Sequence, residues 1–268
     1  MTHVLGNAKE TSFRAVRIEL LDEDRTTLSR ASGVLVQEDR EVFLYTCWHV
    51  VTGINFLTPE LLAPPTRRKY LRFFTQDFQQ RSPTIQAIGN SREWVIDLYR
   101  DDGTTPVWKQ DQTKRDHADI ECLGLRLPQF NDVVRIPVSL PSEFQEIFCF
   151  SLSDIWQYLS NEAADVALVG YPYGFSASGI TQPTPIFLKR SVAAWMGTNR
   201  LLLDGGGAPG MSGCPVLCYH EARWWLMGIY SGIIFPDAQL QATNKQDTTM
   251  RLGVVYGLRL ARGFMGFR

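Results

Sequence analysis

The sequence predicts an all-β fold of two packed barrels, and three observations carry the prediction. The chain has 268 residues, 44% of them hydrophobic, enough to bury one large core. Its apolar residues fall in short runs, several alternating with polar ones at the two-residue period of a half-buried strand and bounded by turn residues. A histidine-ended run, an aspartate-opened run and a serine between glycines then follow one another, each where a strand meets a turn.

The elements follow in order. Phe13 to Leu20 alternates as a strand, and Gly33 to Thr46 reads as a hairpin turning at Gln37-Glu38-Asp39-Arg40. Thr58 to Arg115, with Pro59, Pro64, Pro65 and Pro83, is expected to hold further strands with sizeable loops. Ser153 to Leu159 is expected to form a short helix between the barrels, because Ser153 and Asp154 can accept hydrogen bonds from first-turn amides. Strands resume at Ala167 and continue to about Leu260, interrupted by a polar loop from Pro236 to Thr249. The expected division is therefore an N-terminal barrel over 11–139, a connection over 140–164 and a C-terminal barrel over 165–262.

Composition narrows the function. With 27 basic and 28 acidic residues the formal charge is −1, and basic residues are not interleaved with aromatics, so no nucleic-acid partner is expected. Arg67-Arg68-Lys69 reads as a solvated loop. No apolar run has the length of a membrane span, and Met1 to Gly6 lacks the pattern of a signal peptide, so the expectation is a cytoplasmic protein without a membrane partner. Five cysteines, at 47, 122, 149, 214 and 218, are expected to remain thiols. Cys214, Cys218 and His220 have a loose metal-like spacing, but Cys214 lies in the serine turn and Cys218 on a strand, so no metal and no cofactor is expected.

Pro209-Gly210-Met211-Ser212-Gly213-Cys214 carries the chemistry. Glycines beside a serine allow backbone angles that other residues avoid, so successive amides can aim at one point. Gly210 and Ser212 would supply the N–H groups of an oxyanion hole. A serine hydroxyl is a weak nucleophile at neutral pH and needs a general base, itself oriented by a third group. His49, ending the run Phe43 to His49, is the candidate base. Asp119, opening the alternating segment Asp119 to Leu123, is the candidate orienting acid, in competition with Asp97, Asp101 and Asp116.

The order His49, Asp119, Ser212 is one of the known triad orders, and the blocks around it resemble the trypsin/chymotrypsin-fold serine proteases, in particular their HtrA-like bacterial branch without a PDZ module. Ala31 to Val36 with Leu44 to Val50 is similar to the family's histidine block, and Asp119-Ile120 to its aspartate block. Leu203 to Gly213 is similar to its serine block, with Asp204 and Pro209-Gly210 in register. Val169-Gly170-Tyr171-Pro172-Tyr173-Gly174 resembles a Gly-x-Pro-x-Gly turn, and Leu226 to Gly232 the strand that pairs with substrate backbone. The resemblance covers roughly residues 11 to 262.

It implies two packed six-stranded antiparallel β-barrels with a short inter-barrel helix, and a serine endopeptidase, a trypsin-like hydrolase working through an acyl-enzyme on a protein or peptide substrate. It places the base of the specificity pocket at Gly206 and its walls at Ser231, Gly232 and Gly253. These positions carry no charge, which suits an uncharged, bulky apolar substrate side chain unless Arg251, Asp237 or Asp247 reaches in. Met211 departs from the aspartate of secreted trypsins, and Cys214 replaces a glycine. Gly205-Gly206-Gly207 suits a mobile loop, so latency until an activating partner or ligand binds is a further expectation. The same residues also suit a serine esterase or a non-catalytic binding protein on this fold.

Overall fold

The computed structural model describes residues 14–56, 66–82, 85–110, 131–156, 162–176, 184–196, 200–234 and 251–258. In the N-terminal half, β1 (Ala15–Leu21), β2 (Thr27–Glu38) and β3 (Glu41–Thr46) run antiparallel. The β2–β3 hairpin closes through Asp39 and Arg40, with Asp39 at φ 54°, the left-handed region that aspartate tolerates. A short helix α1 (Trp48–Thr52) follows β3 and ends at Gly53, whose φ of 76° caps it and whose N–H returns to the His49 carbonyl.

Strands β4 (Tyr70–Ser82), β5 (Ile85–Asp97), β6 (Lys109–Gln110) and β7 (Val134–Val138) complete a sheet ordered β5-β4-β1-β2-β3-β7-β6. The connection to the second half holds α2 (Ser142–Phe148) and β8 (Cys149–Ser151), which pairs parallel with β2. Among the described residues this half is thus an eight-stranded sheet rather than a closed six-stranded barrel.

In the second half β9 (Asp165–Gly170), β10 (Ile186–Met196), β11 (Arg200–Leu203), β12 (Pro215–His220), β13 (Arg223–Ile234) and β14 (Leu252–Gly257) close a barrel in the order β10-β11-β14-β13-β12-β9. The closed six-stranded barrel and the sheet beside it form a chymotrypsin-like all-β fold, as the sequence predicts.

The short helix falls elsewhere than expected. Ser151, not Ser153, makes the cap: its hydroxyl and its N–H both donate to Asp154, closing one 3₁₀ turn over Leu152–Asp154. Ile155 and Trp156 are then drawn out as extended chain against β13, with the Trp156 N–H on the Leu226 carbonyl, which stops the helix. The remainder of the predicted helix lies outside the described residues.

Strands β11 and β14 and the first four residues of β12 are buried on both faces. Leu201, Leu203, Val216 and Val255 point into the barrel, while their alternates Leu202, Leu217, Val254 and Tyr256 join one cluster with Val16, Ile18, Leu44 and Val51 of the first half. The two halves therefore share a core, and the segments that carry function lie where they meet.

Candidate active site

His49 is set by the pairing of its neighbours. The Thr46 hydroxyl donates to the Ser32 carbonyl at 2.9 Å, and the buried Cys47 thiol donates to the Tyr230 carbonyl at 3.3 Å. β3 pairs with β7 so that Thr46 faces Val134, which brings the residues just before β7 beside those just after β3. The result is a close pair: His49 Nδ1 lies 2.6 Å from Asp132 Oδ2, and the His49 backbone N–H donates to Asp132 Oδ1 at 3.0 Å. The Ser231 hydroxyl donates to the same Oδ2 at 2.5 Å. Asp132 is fully buried, and the His49 side chain is 16% exposed. With Nδ1–H donating to this carboxylate, the imidazole presents Nε2 as an acceptor.

Asp119 and Asp116 lie outside the described residues. The carboxylate on His49 is Asp132, which the sequence reading did not single out. Its signal was present in Asn131-Asp132-Val133-Val134-Arg135-Ile136, an aspartate opening a strand, the same pattern that favoured Asp119. Asp97 and Asp101 line a cavity of about 430 Å³ together with Glu23, Arg67, Lys69, Tyr99, Arg100 and Gly103.

The serine turn is tied down at nearly every residue. Ser191 N–H donates to Asp204 Oδ1 and Asp204 N–H to the Ser191 carbonyl. Arg190 donates from Nε and Nη2 to the Gly206 carbonyl at 3.1 and 2.7 Å, and the Gly207 N–H donates to the Tyr230 hydroxyl at 2.7 Å. Ser32 is the central clasp. Its hydroxyl donates to the Gly210 carbonyl at 2.8 Å and accepts the Tyr171 N–H at 3.0 Å, while its N–H donates to the Ser212 carbonyl. Gly205-Gly206-Gly207 is therefore held rather than loose.

The same bonds orient the amides. Tyr173 N–H donates to the Pro209 carbonyl at 2.5 Å, which fixes the peptide plane preceding Gly210. Gly210 takes φ 90°, and a methyl there would lie 2.6 Å from the Tyr171 carbonyl oxygen, so only glycine fits. Among the described residues neither the Gly210 N–H nor the Ser212 N–H has an acceptor, whereas Met211, Gly213 and Cys214 all donate. Behind the turn Met211 and Cys214 are fully buried and pack on Gly170, where a methyl would lie 2.7 Å from Cys214 Cβ and 3.1 Å from Met211 Sδ. The two departures from the family pattern are thus the filling beneath the turn.

Ser212 is half-buried, and its hydroxyl donates to the Ser231 carbonyl at 3.0 Å. Ser231 thereby touches both Ser212 and Asp132. Gly206, Gly207 and Gly253 come together with Ser231 and Gly232 on one side of Ser212: Ile233 pairs with Gly253, and a methyl on Gly253 would meet the Gly205 carbonyl oxygen at 2.7 Å. Gly232 faces open space.

Cys47, His49 and Asp132 place one ligand atom each within 4.8 Å of one another. Burial holds the Cys47 thiol well above its ordinary pKa, reinforced by the Asp132 charge, and that thiol donates to the Tyr230 carbonyl. The trio is the packed support of His49. Cys218 lies in the barrel interior, while exposed His220 packs against Trp156 and Glu221.

No family model matches the chain, and no curated protein matches it. Among solved structures it is similar to the serine endoprotease from Yersinia pestis, with 13% sequence identity and a TM-score of 0.53. The match covers 98% of this chain and 65% of that one, so the chain spans about two thirds of its length. The likeness shows the fold, a trypsin-like serine protease fold.

Proposed function

We propose that the chain is a serine endopeptidase in which Ser212 is the nucleophile, His49 the general base and Asp132, in place of Asp119, the orienting carboxylate. The observation that carries the reading is the Asp132–His49 pair beside a serine turn whose two amides, Gly210 and Ser212, are left without acceptors.

Ser212 Oγ attacks a carbonyl carbon as His49 Nε2 takes its proton. The carbonyl oxygen becomes an oxyanion received by the Gly210 and Ser212 N–H groups, and the imidazolium then protonates the leaving amine. Water repeats the sequence on the acyl-enzyme. At rest the Ser212 hydroxyl donates to the Ser231 carbonyl, so attack requires that hydroxyl to turn to His49 Nε2; loose resting geometry of this kind is common without substrate. That rotation is where substrate or an activating partner acts, since the turn itself is pinned.

Peptides are favoured over simple esters by the edge beside Ser212. β12 pairs with β13 only up to Ile229, so Gly232 and Ile233, beyond the bulge at Ser231, have β14 on one side and, among the described residues, no strand on the other. An extended peptide can pair there. An HtrA-like kinship fits the serine block and belongs to this proposal.

The test is incubation of the full chain and its Ser212→Ala variant with an unfolded protein. Peptide products and a trapped acyl adduct on Ser212 from the first and neither from the second are expected. Equal product from both would overturn the reading.

A further inference from the structure

We infer that the substrate residue whose carbonyl is attacked must carry a small side chain, Gly, Ala or Ser; this rests on the endopeptidase reading. The carbonyl held by Gly210 and Ser212 places its residue's side chain in the space between the turn 205–210 and the strand leaving Ser231. Gly206, Gly207 and Gly253 border that space, and the uncharged positions 206, 231, 232 and 253 suggest on sequence alone room for a bulky group. The structure fills it from within.

Tyr230, 2% exposed, lays its ring between two of them. Its Cε1 lies 3.0 Å from where a methyl on Gly207 would be and its Cε2 3.2 Å from one on Gly253, and its hydroxyl accepts the Gly207 N–H. Ile233 covers the third, since a methyl on Gly206 would fall 2.3 Å from its Cγ1 and 2.5 Å from its Cδ1. The floor cannot recede, because Arg190 fixes the Gly206 carbonyl with two hydrogen bonds and the Gly205 carbonyl abuts Gly253. The glycines are there to admit Tyr230 and Ile233. What remains is the shallow opening over Gly232, which faces open space.

A side chain larger than that of serine must displace packed atoms of Tyr230 or Ile233, and a cationic one would lose its hydration against a tyrosine ring and an isoleucine. Ile233 is the residue that sets the limit, being half-buried at the mouth where Tyr230 is deep.

The experiment uses peptidyl diphenyl phosphonates of one sequence that differ only in the residue bearing phosphorus, Ala, Leu, Phe or Lys, with a small alkyl fluorophosphonate as the control for the nucleophile. The alanine probe should inactivate the full chain at least about 100-fold faster than the Leu, Phe and Lys probes, the discrimination a closed pocket gives against extra methylenes. Ile233→Gly should raise the Leu and Phe rates about 10-fold or more. Fluorophosphonate labelling of Ser212 with the Leu, Phe or Lys probe as fast as the Ala probe, or with no peptide probe reacting, would overturn the small-residue limit while leaving the nucleophile intact. Failure of the fluorophosphonate itself would remove the endopeptidase reading on which the limit rests.

Discussion

His49 Nδ1 lies 2.6 Å from Asp132 Oδ2, across 83 residues of chain. The pair is made by the β3–β7 ladder, and under the proposed function it assigns the orienting role to Asp132 rather than Asp119. Asp132→Asn should lower kcat/KM by about 10⁴, because an amide cannot favour the productive imidazole tautomer. Asp119→Asn should leave it within about threefold, the size of effect ordinary for a residue outside the chemistry. Steady-state kinetics on both variants separates the two acids.

Ser32 connects the halves at the serine turn. Ser32→Ala leaves the Gly210 carbonyl and the Tyr171 N–H without their shared partner, which should cost about 1–3 kcal/mol of stability. It should also slow labelling of Ser212 roughly 10-fold or more through misplacement of the turn. Urea unfolding and labelling rates on the same preparation check both effects.

Gly213 takes φ 86°, and a methyl on it would lie 2.2 Å from the Ser32 carbonyl oxygen and 2.2 Å from Thr46 Oγ1. Gly213→Ala should destabilise by about 2–4 kcal/mol, combining backbone strain with overpacking. The midpoint of urea unfolding reads this directly.

Burial raises the Cys47 and Cys214 thiols and pushes Cys149 and Cys218 up to about 12. In the folded protein these thiols stay neutral where unfolded ones, with a pKa of about 8.5, ionise. Each therefore contributes stability that is whole below about pH 8.5 and is lost as pH rises toward about 12. Unfolding midpoints should fall across that alkaline range, and iodoacetamide at pH 8 should alkylate these four only after denaturation, as mass spectrometry will show.

Much of this was legible in local pattern. The glycines around Ser212 have backbone requirements that a sequence displays, and the histidine ends an apolar run that is recognisable as a strand. Asp132 was not legible, because its role depends on β7 lying beside β3, a non-local pairing, and Asp119 opens an equally plausible strand. The pocket glycines at 206 and 253 are ambiguous in sequence for a related reason. An absent side chain shows that something comes close, not whether it is a ligand or the protein's own Tyr230 and Ile233. The inter-barrel helix was misplaced because Ser151 rather than Ser153 makes the cap with Asp154, and Ile155 and Trp156 pair with β13 at Leu226, a non-local contact that local pattern does not display.

The most direct measurement is labelling of the full chain, His49→Ala and Ser212→Ala with a small fluorophosphonate, followed by locating the adduct by mass spectrometry. The account predicts one adduct on Ser212 of the wild-type chain, none on Ser212→Ala, and at most a trace on His49→Ala, slowed by about 10⁴ or more. A folded wild-type chain that takes no adduct, or labelling on Ser212 that is as fast without His49, would contradict it.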